Sequence, residues 1–117
     1  MMKVIFHIDQ SENWQMTVNN VSNLLKYLKE VQESCVIEIL ANGKAVAELK
    51  EEFAKEAEFY DKFKELAENK VDIVACRNAL NNSKIEEKDL FSFVRVVPAG
   101  VVELIVKQKE GFAYIRP

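Results

Sequence analysis

The feature that most constrains the fold is a regular alternation of short apolar runs with amphipathic stretches. Each run is four to six residues long and almost continuously apolar, which is typical of strands covered on both faces. Strands that alternate with helices form parallel sheets with helices packed on both faces. The sequence therefore predicts an α/β fold with five parallel strands, over residues 3–8, 35–40, 71–75, 93–97 and 112–115.

Between the apolar runs, apolar residues recur at three- and four-residue steps, as on the buried stripe of an amphipathic helix. The spacing predicts a long helix over residues 13–31 and one or two helices over residues 46–67. It also predicts a short helix over residues 76–82 and a last helix over residues 99–110. The pattern leaves the order of the strands open.

Length and composition exclude several classes of protein. The chain has 117 residues and no long linker, so we expect one domain over residues 1–117. The formal net charge is −3, and the basic residues are scattered among acidic ones, which argues against nucleic-acid binding. No apolar run is long enough to cross a membrane, and the N-terminal run is too short for a signal peptide. We therefore expect a cytoplasmic protein.

No cofactor or metal is predicted. The sequence contains no glycine-rich dinucleotide or nucleotide loop, and no serine elbow of the kind found in hydrolases. Two cysteines and one histidine are too few for a zinc site with the usual four ligands.

Candidate site residues cluster after the strands. In open parallel sheets, ligands bind at the carboxyl ends of the strands. The residues that the sequence places at this edge are His7 and Asp9 after the first strand, Asn42 and Gly43 after the second, Cys76, Arg77 and Asn78 after the third, and Pro98, Ala99 and Gly100 after the fourth.

Cys76 is the strongest candidate for chemistry, and two interpretations of it remain open. A helix begins directly after it, and the free N–H groups and partial positive charge of a helix N-terminus favour a thiolate. The cationic side chain of Arg77 adds to this effect if it turns inward. Alternatively, Cys76 is a small buried residue that closes a strand. Cys35 opens a strand at the other end of the sheet, and we interpret it as a buried structural residue.

The remaining candidates also have two interpretations. His7 is either a hydrogen-bonded core histidine or part of a site. The pair Asn42-Gly43 is first a turn signal and second an anion-binding loop. These residues leave three functions open: chemistry at a reactive Cys76 thiol, a non-catalytic module that binds a small anion at the same edge, or an oligomeric scaffold. In the first function, the anionic group on Cys76 is held by Asn42, Gly43 and the backbone N–H groups of Arg77 and Asn78.

The segment "VDIVACRNALNNSKIEEKDLFSFVRVVPAGVVELIVKQKEGFAYIRP" resembles the C-terminal half of the DsrE-like family, the DsrE/DsrF/TusD sulfur-relay group and its relatives. The segments "VIFHID" and "ILANGKAV" resemble its small, stand-alone, single-domain members. The resemblance implies a three-layer α/β/α fold around a five-stranded parallel sheet. It also implies homo-oligomers, often trimers or hexamers, and a persulfide on Cys76 that is exchanged with sulfur donor and acceptor proteins. An enzymatic sulfur-transfer activity is therefore one possibility.

The last helix predicts a subunit interface. Five apolar residues of this helix spread over about 200° of its surface, wider than a sheet-covering stripe requires. We expect Val101, Leu104 and Ile105 to face the sheet. Val102 and Val106 then meet either a neighbouring helix or another subunit.

Overall fold

The computed structural model describes residues 1–117, and its centre is one five-stranded sheet in which every pair of neighbouring strands is parallel. The strands follow the order β4-β3-β2-β1-β5. The five predicted parallel strands are thus confirmed, with ends that differ by one residue or so. They are β1 (Met2–Ile8), β2 (Cys35–Ala41), β3 (Asp72–Cys76), β4 (Val94–Val97) and β5 (Ala113–Ile115).

Five α-helices connect the strands, together with short 3-10 turns at Ser11–Asn13, Gly43–Leu49 and Glu87–Asp89. Residues 46–67, where the sequence predicts one or two helices, contain two α-helices after the 3-10 turn Gly43–Leu49. Glu58, in the left-handed region at φ 62°, separates those two helices. The helices are α1 (Trp14–Glu30), α2 (Glu51–Glu56), α3 (Tyr60–Glu68), α4 (Arg77–Asn82) and α5 (Gly100–Lys109).

The larger core lies on the face of the sheet that α1 and α3 cover. Alternate residues of β1 and β2 point into it, such as Ile37 and Ile39 of β2, because successive side chains in a strand face opposite ways. Trp14 and Phe63 are fully buried there, with ring centroids 4.9 Å apart in an edge-on contact. The core contains 24 buried residues and fixes the sheet against the helices that join β1 to β4.

The second face is covered by α5, which crosses the sheet because β5 pairs with β1 rather than with β4. Its core has only five buried residues, and Leu104 of α5 packs against them. The expectation that Val101 and Ile105 also face the sheet is wrong, since they are 62% and 50% exposed. Leu104 is thus the residue through which α5 packs against the sheet, and most other apolar residues of α5 point outward.

None of the helices combines the length and the apolar character that a membrane crossing requires.

Candidate functional site

The carboxyl ends of β1, β2 and β3 lie side by side, as the parallel register requires. Ile8 of β1 pairs with Ala41 of β2, and Ala41 pairs with Ala75 of β3. Cys76 therefore ends β3 beside the point where Asn42 follows β2. The sheet thus places both residues at one edge.

Cys76 lies at the N-terminus of α4 and contacts the N-terminus of α5. It is the N-cap of α4, with an extended backbone, and its side chain is buried. Its Sγ accepts a hydrogen bond from the backbone N–H of Gly100, the first residue of α5, at 3.3 Å. Free N–H groups at helix starts carry partial positive charge and can donate hydrogen bonds to an anion.

Gly100 also leaves space between Cys76 and Asn42. A Cβ added to Gly100 would lie 3.4 Å from both the Cys76 Cβ and the Asn42 Nδ2. The amide of Asn42 and the side chain of Cys76 therefore border the same gap. The sequence pattern places Gly100 at this edge but assigns it no role, because the direction of its N–H depends on the loop between β4 and α5.

Asn42 belongs to a chain of side-chain hydrogen bonds that runs across three strands. The Oδ1 of Asn42 lies 3.0 Å from the Nε2 of His7 on β1. The Nδ1 of His7 lies 2.6 Å from the hydroxyl of Tyr114 on β5. His7 is half-buried and has partners at both ring nitrogens. The sequence does not predict the role of Tyr114, because its neighbour β1 is distant along the chain.

Gly43 shapes the loop that follows Asn42. Its φ of 53° is left-handed, a conformation that glycine adopts without strain. A Cβ at Gly43 would lie 3.0 Å from the backbone oxygen of Asp9. The glycine thus lets this loop approach the end of β1, and its role in ligand binding stays a prediction.

The two residues after Cys76 lie on α4. The guanidinium of Arg77 binds the carboxylate of Glu87, beyond the end of α4. The charge of Arg77 is thus paired with Glu87, which gives no support to an inward turn toward the thiol. Asn78 is exposed on the helix surface.

A salt bridge closes the site on its β5 side. Arg116 donates to both carboxylate oxygens of Asp9, at 2.9 and 3.0 Å. The pair raises the pKa of Arg116 above its ordinary value, chiefly through the hydrogen bonds to Asp9. The C-terminal segment that carries Tyr114 is thereby attached to the end of β1.

The matches with known proteins agree with the fold. The DsrE/DsrF-like family matches residues 35–117, from the start of β2 to the C-terminus, and this stretch includes Asn42, Cys76 and Gly100. The chain belongs to the DsrE/DsrF-like family.

A solved structure supports the same fold for this DsrE/DsrF-like chain over its full length. The protein of unknown function MTH1491 from Methanobacterium thermoautotrophicum is 34% identical, with 100% of each chain covered and a TM-score of 0.88. No curated protein matches the chain.

A surface groove of about 880 Å³ lies at the opposite end of the sheet from Cys76. It runs between α1 and α3, and side chains of both charge signs line it. Cys35 borders this groove and packs against the larger core, but it is half-buried rather than buried as expected. The size of this groove therefore does not bear on the chemistry at Cys76.

A buried carboxyl group under α5 lies outside the set of residues that the sequence singles out. Glu38 of β2 is 1% exposed, and its Oε2 has no hydrogen-bond partner. Burial, then the hydrogen bond with Glu103 and the charges of Glu103 and Asp72, raise its pKa to about 8, against the opposing charge of Arg95. Arg95 binds Asp72 and Glu103 at 2.8 and 2.9 Å. The acidic residue within the apolar run "CVIEIL" was the available signal.

Proposed function

We propose that this DsrE/DsrF-like protein is a sulfur carrier that holds a persulfide on Cys76. The observation that carries the proposal is the hydrogen bond from the Gly100 N–H to the Cys76 Sγ. It places the sulfur at the N-terminal ends of α4 and α5 together, where negative charge is stabilised. A thiolate is the form of cysteine that attacks sulfur. The family adds support, because sulfur-relay proteins share its fold.

Loading follows thiol exchange chemistry. The Cys76 thiolate attacks the outer sulfur of a donor persulfide, R–S–SH. A bond forms between Sγ and that sulfur as the S–S bond of the donor breaks, and R–S⁻ leaves with the electron pair. Transfer to an acceptor thiolate repeats the step with Cys76 as the leaving group. No external oxidant or reductant is needed, since the sulfur moves between two thiols.

The gap beside Gly100 suits the outer sulfur. The Asn42 oxygen faces His7, so its NH2 group points to the other side, where Gly100 and Cys76 lie. This NH2 group has no hydrogen-bond partner in the protein. It is therefore available to donate to an atom attached to Cys76. In this proposal, Asn42 and Gly100 hold the persulfide, and Arg77 and Asn78 contribute through the start of α4.

The test is intact-mass measurement after incubation with a sulfane-sulfur donor, such as inorganic polysulfide. We expect a gain of one sulfur atom that Cys76→Ser abolishes. Cys35→Ser is the matched control and should load normally, because Cys35 lies at the other end of the sheet. Loss of loading in Cys35→Ser alone would contradict the proposal. Binding of thiosulfate that survives Cys76→Ser, without any loading of the parent, would favour the anion-binding module instead.

We further propose that the protein acts as a homo-oligomer, with a trimer or hexamer as the expected assembly. The support is the α5 apolar surface, formed by Val101, Val102, Ile105 and Val106, which are 39–62% exposed. Because α5 is the only helix on its face of the sheet, no second helix of the same chain covers this surface. A second copy presents an identical apolar patch. We place the carrier in the cytoplasm, where both free cysteines stay reduced.

A further inference from the structure

The hydroxyl of Tyr114 and the ring of His7 determine which way the Asn42 amide faces. Tyr114 pairs in register with Ile5, and Ile5 and His7 point to the same face of β1. The Tyr114 hydroxyl therefore reaches the His7 ring, at 2.6 Å from Nδ1. On its other side, the ring lies 3.0 Å from the Asn42 Oδ1.

The direction of these bonds follows from their chemistry. The Oδ1 of Asn42 is an acceptor only, so the Nε2 of His7 must carry the proton that it donates. In a neutral ring, Nδ1 is then an acceptor, and the Tyr114 hydroxyl donates to it. The hydrogen bond from the Tyr114 hydroxyl to Nδ1 favours the His7 tautomer with its proton on Nε2. That tautomer can donate to the Asn42 Oδ1 and so holds this oxygen toward His7. The amide NH2 is thereby turned toward Gly100 and Cys76.

We propose that Tyr114 is a positioning residue that acts through His7 and Asn42 on the outer sulfur of the Cys76 persulfide. This inference rests on the proposed function. Without the hydroxyl, His7 is free to rotate or to protonate Nδ1 instead, and the Asn42 amide loses its fixed orientation. A correctly turned NH2 donates to the anionic outer sulfur, and a flipped amide presents its oxygen there, which repels the charge.

The persulfide can be titrated directly. In a Cys35→Ser background, Cys76 is loaded with inorganic polysulfide, and the near-ultraviolet absorbance of the persulfide anion is followed against pH. Asn42→Ala should raise the midpoint by about one pH unit, the effect of losing one hydrogen bond to a charged group. Tyr114→Phe and His7→Ala should raise it by about half a unit each, since a freed amide still donates part of the time.

A double-variant cycle separates positioning from a general structural effect. Tyr114→Phe combined with Asn42→Ala should titrate as Asn42→Ala alone, because residues that act in series are not additive. Tyr27→Phe, on the exposed surface of α1, should titrate as the parent. Circular dichroism and size-exclusion chromatography check that each variant keeps its fold and assembly.

The outcomes are distinct. A parent protein that takes up no sulfur on Cys76 overturns the proposed function and this inference with it. A parent that loads, with Tyr114→Phe titrating at the parent midpoint, overturns only the positioning role of Tyr114, whatever His7→Ala does. An additional shift when Tyr114→Phe is added to Asn42→Ala also overturns it, because Tyr114 would then act by another route.

Discussion

The backbone N–H of Gly100 donates a hydrogen bond to the Sγ of Cys76 at 3.3 Å, joining the first residue of α5 to the last residue of β3. A sulfur atom is a weak acceptor when neutral and a stronger one when charged. The contact brings a backbone donor to the atom that carries the extra sulfur in our proposal. It also sets α5 at a fixed place above the edge of the sheet.

Gly100→Ala should reduce persulfide loading while the protein stays folded. The added methyl would lie 3.4 Å from its nearest neighbours, an ordinary contact distance, and alanine is the better helix former. The N–H that bonds to the sulfur is kept. However, the methyl fills the gap between Asn42 and Cys76 that the outer sulfur occupies in our proposal. Intact mass after treatment with polysulfide measures the loaded fraction.

Lys109→Ala is the control for this change, since Lys109 is the last residue of α5, is exposed and lies outside the α5 apolar surface. It should load as the parent does. Full loading of Gly100→Ala would show that the outer sulfur lies elsewhere.

Cys76→Ser should change the free energy of unfolding by no more than about 1 kcal/mol, because a serine hydroxyl can accept the Gly100 N–H in place of the sulfur. Ile73→Asp, three residues earlier in β3, should unfold the protein. Ile73 is fully buried, and an unpaired charge there costs about 4 kcal/mol or more. Urea denaturation compares the two variants. If both lose the same stability, Cys76 is chiefly a structural residue.

Much of the fold is predictable because it depends on local pattern. The apolar runs and helical stripes predict the five parallel strands, and their carboxyl ends meet at one edge. Asn42 and Cys76 each follow a predicted strand, so their proximity is also expected from the pattern. Both signals are properties of neighbouring residues in the sequence.

The rest depends on the strand order, which sequence periodicity does not contain. Because β5 pairs with β1, Tyr114 lies beside His7, residues that are 107 positions apart. The sequence also does not predict which side of α5 faces the sheet. Apolar residues cover about 200° of the surface of that helix, so no narrow stripe identifies Leu104 alone as the contact with the sheet. The raised pKa of Glu38 arises from α5 crossing above it.

Stability should fall as the pH rises from about 4.5 to about 8, because of Glu38. Its carboxyl group has the ordinary pKa of 4.5 when unfolded and about 8 when folded. Between these values the folded protein binds one more proton than the unfolded chain. The stabilisation that Glu38 contributes is complete below pH 4.5 and is lost once the pH passes about 8. Between these values it falls by about 1.4 kcal/mol per pH unit.

Glu38→Gln should flatten this slope, since glutamine cannot ionise and its amide can still donate to Glu103. Part of the slope remains, because burial also raises the pKa of Glu48. Glu103 has a lowered pKa, so its contribution is lost only as the pH falls below the ordinary range of a glutamate. Urea denaturation at several pH values between 5 and 8 gives the slopes.

Glu65→Gln, on the exposed surface of α3, is the control for this measurement and should keep the slope of the parent. Parallel pH profiles for Glu38→Gln and the parent would show that Glu38 is already ionised in the folded protein at neutral pH.

The α5 apolar surface should hold the proposed oligomer together. Val102 and Val106 lie one turn apart on α5 and are 55% and 39% exposed. Replacing both with glutamate places two charges at the centre of an apolar interface, where their desolvation is costly. We expect Val102→Glu with Val106→Glu to dissociate the assembly into monomers while the circular dichroism spectrum stays unchanged.

Light scattering coupled to size-exclusion chromatography measures the mass of the parent and the variant. The control is a pair of glutamates on the opposite side of the molecule, Gln15→Glu with Asn19→Glu on α1, one turn apart and bonded to each other. That pair should leave the assembly intact. Because α5 also carries the N–H that binds the Cys76 sulfur, dissociation through α5 should alter persulfide loading as well. A parent that is monomeric at micromolar concentration contradicts the assembly itself, and an unchanged mass in the α5 variant places the interface on another surface.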